Sequence, residues 1–131
     1  MAFQCVVVTP EAQLLDESVA QVILPAYDGL VGILTDRAPL LVKLGAGPLR
    51  VDRAGGNRSY YFIDGGVAQM KDNKLTVLTD RAIPAKEIDA EAARAQYDEA
   101  LARRATDPQA LDDREHELRR ARAMQEVAGM G

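Results

Sequence analysis

The apolar positions of this chain change period once, and the change divides it. Over residues 1–84 they come in short runs of strand length, broken at close intervals by Gly, Pro, Asn and Asp. Over residues 85–131 they recur at helical spacing in a background of Ala, Glu and Arg. The first pattern predicts an all-β sandwich, because turn signals recur too closely for βαβ units. The second predicts helices, since no glycine interrupts it between Pro84 and Gly129 and β-branched residues are scarce.

The β part is organised around Tyr27–Leu44, two apolar runs with breakers at both ends and in the middle. Gly29 and Gly32 suggest a bulge or a close backbone approach. Thr35-Asp36-Arg37 reads as a turn, and Pro39 can only start the next strand or lie at an edge, because it has no N–H for a ladder. Before this stretch, Phe3–Thr9 and Gln21–Pro25 read as strands, with Leu14–Val19 between them. Leu40–Leu44, which closes it, and the alternating Leu49–Arg53 beyond it read as separate strands. Gly55-Gly56-Asn57 is a hairpin signal. Ser59–Ile63 forms a strand, Asp64-Gly65-Gly66 is expected to turn the chain, and Val67–Met70 to run back. Asp72-Asn73 turns it again before a last strand, Lys74–Thr79.

In the helical part, Glu87, Asp89 and Glu91 stand where acids favour a helix N-terminus. Ala90, Ala93, Tyr97, Ala100, Leu101 and Ala105 form a thin apolar stripe. Asp107 is a plausible N-cap and Pro108 a first helical residue for a second helix. That helix carries Leu111, Leu118, Ala121 and Met124 on one face. A short connection favours an antiparallel hairpin. Alanine removes little apolar area from water, so the hairpin is expected to dock weakly on the sandwich. The division is thus 1–84, sandwich, and 85–131, helical hairpin.

Composition narrows the function. The net charge of −4 argues against nucleic-acid binding. No run approaches the roughly 20 apolar residues of a membrane helix, so direct membrane insertion is not expected. Cys5 stands alone and fits a small buried strand residue better than a reactive thiol. His116 is the single histidine, which argues against a His-based metal site or a Ser-His-Asp triad. The Asp28-Gly29-Leu30-Val31-Gly32 loop lacks the Lys-Ser/Thr of a phosphate-binding loop and opens no helix.

Three segments carry a resemblance: Asp28-Gly29-Leu30-Val31-Gly32-Ile33, Ala38-Pro39-Leu40-Leu41 and Gly47-Pro48-Leu49-Arg50-Val51. With Phe62–Val67 and Leu75–Leu78 they resemble the epsilon subunit of the F-type ATP synthase, over nearly the whole chain. The resemblance implies a non-catalytic rotor subunit of the central stalk, at the cytoplasmic face of the bacterial inner membrane. It implies three partners: the gamma subunit, the membrane c-ring and the alpha/beta catalytic head. Proton-driven ring rotation would be coupled to ATP synthesis, and the hairpin would modulate hydrolysis.

Carried onto this sequence, the resemblance assigns Asp28, Gly29 and Leu30 to the rotor ring. Leu30 stands at the loop's usual second acidic position. Arg37, Leu41 and Lys43 are assigned to the gamma stalk, with a solvated turn as the alternative for Arg37. Arg119, Arg120 and Arg122 would meet an acidic stretch of the beta subunit when the hairpin extends. Otherwise they form a solvated helix face with partners such as Glu115 for Arg119. Some relatives bind ATP through Ile/Leu-Asp-x-x-Arg-Ala. Ile88 and Asp89 match, but Ala92 holds the Arg position and Arg94 lies about 200° further round a helix. No cofactor is therefore expected, and Asp89 is read as a helix-start residue. Rival readings are a cupin-like ligand-binding or enzymatic barrel, and an unrelated adaptor with the same plan.

Overall fold

The computed structural model describes residues 2–130. Its strands are β1 (Phe3–Val8), β2 (Gln13–Val19), β3 (Gln21–Ala26), β4 (Gly29–Leu34), β5 (Leu40–Asp52), β6 (Arg58–Lys71), β7 (Lys74–Leu78) and β8 (Ala82–Pro84). A 3₁₀ turn, Ala85–Glu87, leads to α1 (Ala90–Ala102) and α2 (Pro108–Ala128). The strands form one continuous sheet in the order β2-β1-β7-β6-β5-β3-β4, with β8 also on β6. β1 and β7 run parallel, and the other pairs are antiparallel.

Two long strands turn this sheet into a sandwich. β5 and β6 pair along their whole lengths, from Leu40 opposite Met70 to Asp52 opposite Arg58. The Leu40–Leu44 half of β5 belongs with β6, β7, β1 and β2; the Ala46–Asp52 half belongs with β3, β4 and β8. The two layers therefore share both strands across a corner near Gly45 and Asp64–Gly66. Two expectations are corrected here. Leu40–Leu44 and Leu49–Arg53 are one strand, and Asp64-Gly65-Gly66 bends a strand without reversing it. Gly65 and Gly66 have φ of 75° and 104°, so they give the bend a left-handed backbone without ending the ladder. A Cβ on Gly66 would lie 2.0 Å from the Leu78 carbonyl oxygen, which makes the corner a glycine position for space as well. β8 was not anticipated; only three residues long, it lacks a period of its own.

The core lies between the layers, where Cys5, Val7, Val22, Leu24, Ile33, Leu49, Val51, Ile63, Met70, Leu75 and Val77 are essentially inaccessible. Burial pushes the Cys5 thiol up to about 12, with Glu17 adding to the rise and Arg53 opposing it. Cys5 is thus an inert core residue. At the end of the sandwich away from the corner, the β4–β5 turn is clasped to the β6–β7 turn. The Asp36 N–H donates to Asn73 Oδ1 at 2.7 Å, and Asn73 Nδ2 donates to Asp36 Oδ1 at 3.0 Å.

The helices start where the side chains cap them. Asp89 accepts from the N–H groups of Glu91 and Ala92, and Asp107 from that of Ala110, with Pro108 at the first helical position. Arg114 closes the other end of α1 by donating to the carbonyls of Ala100 and Leu101 at 3.0 and 2.9 Å. Glu117 reaches across to Arg103 at 2.7 Å, and the expected Glu115–Arg119 pair is not formed among the described residues.

Candidate functional site: two outer faces of one sandwich

The outer faces of the two layers have different fates. On the β3-β5-β6-β8 layer, Phe62 points outward and is completely buried, because the hairpin covers it. Its surroundings are Ala85, Ala93, Ala123, Met124 and Val127, with Ala46, Tyr60, Ile83 and Ile88 at the margin. The predicted stripe is corrected in part. Ala93, Ala100, Ala121 and Met124 are buried, but Leu101 and Leu111 are exposed, and Val127 joins the interface. Docking is therefore not alanine on alanine. A phenylalanine of the sandwich fills the space the small residues leave, and its full burial contributes about 1.5–3 kcal/mol. The signal was the run Tyr60-Tyr61-Phe62-Ile63, whose consecutive apolar residues require a strand covered on both sides.

The outer face of the other layer is open. One cross-strand row runs Lys43, Val67, Leu78, Val8, and the next runs Leu41, Gln69, Thr76, Val6. Leu41 is 71% exposed, Leu78 48% and Val67 40%. Of the residues assigned to gamma, Leu41 and Lys43 lie on this face. Arg37 lies exposed in the β4–β5 connection, just before β5 begins. Val67 and Leu78 were missed, because each belongs to a strand whose inward partners explain its apolar character equally well.

The ring-assigned residues lie at and just after the β3–β4 turn. Asp28 is in the turn, Gly29 follows with φ of 145°, and Leu30 is 68% exposed. The structure brings this loop to the gamma-assigned strand. The Tyr27 N–H donates to the Lys43 carbonyl at 2.8 Å, and Lys43 Nζ stands 5.1 Å from the centroid of the Tyr27 ring. Tyr27, 73% exposed, joins the two assigned patches into one surface.

The three C-terminal arginines are divided. Arg119 and Arg122 border a shallow groove of about 280 Å³ between the helices, with Tyr97, Glu115 and Leu118. Arg120 turns inward, its Nε 2.7 Å from Asp64 Oδ2, while His116 Nε2 is 3.9 Å from Asp64 Oδ1. Ile88 is half-buried against the Phe62 cluster, Asp89 is occupied as a helix cap, and Arg94 is exposed on α1. Among the described residues no group of three His, Cys, Asp or Glu could hold a metal ion, and no helix is long and apolar enough to cross a membrane.

The fold is a bent two-layer sandwich whose one outer face is covered by a helical pair. The family model for the ATP synthase delta/epsilon chain β-sandwich domain matches residues 2–85. The ATP synthase epsilon chain of Rhodopirellula baltica is 41% identical over 122 residues, covering 93% of this chain and 94% of that one. In solved structures, a chain of the Euglena gracilis mitochondrial ATP synthase (OSCP/F1/c-ring, rotational state 1) matches with a TM-score of 0.87 and 25% identity, covering 99% of this chain and 82% of that one. A chain of the Tetrahymena thermophila mitochondrial ATP synthase central stalk and c-ring shares the fold, at a TM-score of 0.74 and 14% identity over 95% of each. The chain belongs to the epsilon-chain family of the F-type ATP synthase, a non-catalytic subunit. The cupin-like reading is thereby set aside.

Proposed function

We propose that this chain works in the central stalk, where its sandwich joins the gamma subunit to the membrane c-ring and its hairpin modulates ATP hydrolysis by the alpha/beta head. The observation that carries the reading is the asymmetry of the sandwich. One outer face is covered by the chain's own helices, and the other keeps Leu41, Val67 and Leu78 in solvent. A set of exposed apolar side chains in adjacent rows of a sheet fits a protein partner. Lys43 gives that face a cation, and Tyr27, Asp28 and Leu30 continue it onto the loop assigned to the ring.

In this reading the chain is peripheral, at the cytoplasmic face of a bacterial inner membrane, and transmits proton-driven rotation without chemistry of its own. ATP is not held tightly: Ala92 stands where an arginine would be needed, and Asp89 is engaged with its own helix. Arg119 and Arg122, both exposed, are the arginines free to meet an acidic head surface while the hairpin is docked.

The test is reconstitution with Leu41→Glu and Val67→Glu together. The variant is expected to fold with an unchanged β spectrum and to lose at least tenfold in affinity for gamma, since two carboxylates would be buried without partners. Undiminished gamma binding would show that another surface carries the subunit.

A further inference from the structure

We propose that Asp64 is a latch for the helical hairpin, holding Arg120 in the docked position and competing for it with any acidic partner surface. The competing half rests on the reading of the hairpin as a regulator of the head; the latch itself does not.

Asp64 lies at the corner of β6, on the outward face beneath α2, and its side chain is 12% exposed. Its N–H donates to the Arg81 carbonyl at 3.1 Å, which anchors its backbone to the sandwich independently of the helices. Arg120 comes from the opposite side of the interface, at 2.7 Å. Its Nε–H is buried and aligned with no acceptor, so the contact is ionic and not a well-made hydrogen bond. One turn earlier, His116 faces the other carboxylate oxygen. The apolar patch holding the hairpin is small, built on Phe62 and a few aliphatic residues. Beside such a patch, the charge pair has a particular property. While the hairpin is docked, removing Arg120 alone strands the Asp64 carboxylate at 12% exposure, and removing Asp64 alone leaves Arg120, 31% exposed, with its Nε–H buried and unpartnered. Once the hairpin leaves, both are solvated. Arg120 is then freed for another carboxylate, and only undocking frees it.

The measurement uses the full chain with Ala123→Cys, a position of α2 buried against the sandwich while the hairpin is docked. The rate at which iodoacetamide labels this cysteine reports the undocked fraction; Cys5, in the sandwich core, is resolved from it by peptide mass. Asp64→Asn and Arg120→Met are each expected to speed labelling about tenfold. The double variant is expected to be no faster than either single one, because the second change removes the charge stranded by the first. Unchanged rates in the single variants, or effects that multiply in the double variant, overturn the latch. Thermal melting of each variant identifies any loss of the whole fold, and the isosteric Asp64→Asn serves where Arg120→Met melts early. A separate assay, ATP hydrolysis by the reconstituted complex, is expected to fall with Asp64→Asn. If labelling rises and hydrolysis does not change, the latch stands and the regulatory role of the hairpin is what fails.

Discussion

Phe62 and Ile63 are neighbours in β6, both completely inaccessible, and they face opposite sides. Ile63 belongs to the core between the layers and Phe62 to the interface with the hairpin. This one dipeptide joins the two parts of the chain, and truncating each side chain should have a different consequence. Ile63→Ala is expected to destabilise the sandwich by about 2–5 kcal/mol. Phe62→Ala is expected to leave the sandwich melting nearly as before and to release the hairpin. Denaturant unfolding followed by circular dichroism, with limited proteolysis of α1 and α2, separates the two. Equal proteolysis in both variants would mean that the parts unfold as one.

Gly66→Ala is expected to prevent folding or to cost more than about 4 kcal/mol, an exceptional value for one methyl group. The Cβ would meet the backbone of Leu78 and Thr79, where no flexible side chain can yield, and φ is 104°. Thermal melting beside Gly55→Ala, where a Cβ meets nothing within 4 Å, gives the comparison. A Gly66→Ala protein melting within a few degrees of the parent would contradict the tight corner.

Asn73→Gly removes the clasp to Asp36 and leaves the backbone free to keep its φ of 57°. The expected loss is about 1 kcal/mol, because both hydrogen bonds are exposed to solvent. Urea unfolding measures it. Asn73→Ala should cost more, because alanine adds strain at positive φ.

Asp52 supplies a pH dependence. The hydrogen bond from Arg50 holds its carboxyl below the ordinary carboxylate range, with the charges of Arg50 and Arg58 helping and burial opposing. A carboxylate lowered in the folded state stabilises fully above its unfolded pKa of about 3.9 and loses this as pH falls through the folded value. Asp52→Asn should therefore be less stable than the parent at pH 7, and the difference should shrink below about pH 4. Urea unfolding at several pH values tests it. A difference that grows on acidification would reverse the sign.

A chain ending after Lys86 is expected to fold as a β protein and to retain gamma binding, since the sandwich has a core of its own. It should also self-associate at high concentration, because Phe62 and Ile83 would lose their cover. Circular dichroism and sedimentation report both properties. A disordered product would mean that the hairpin is needed to fold the sandwich.

Much of this was legible along the chain. The sandwich, the hairpin, the helix start at Asp89, the Asp107 cap with Pro108 at the first helical position and the Asp72-Asn73 turn all rest on local chemistry: hydrophobic period, a carboxylate near free N–H groups, a fixed proline φ. What the reading missed has a common cause. Asp64-Gly65-Gly66 carries turn residues, yet bends within one strand, because β5 continues the pairing beside it. Val67 and Leu78 look like core residues until the register sets them facing outward.

The sequence by itself determined most of the elements, the burial of Cys5 and the succession of strands then helices, since these depend on residues within a few positions of one another; it did not determine that β5 and β6 are each continuous or that β8 exists. Only the tertiary structure decided that Phe62 faces the helices, that Tyr27 meets Lys43, and that Arg120 parts from Arg119 and Arg122 to stand against Asp64. Those relationships join residues from separate elements. They depend on which layer each half of β5 and β6 enters and on which outer face the hairpin covers, and hydrophobic period is the same for either choice of face.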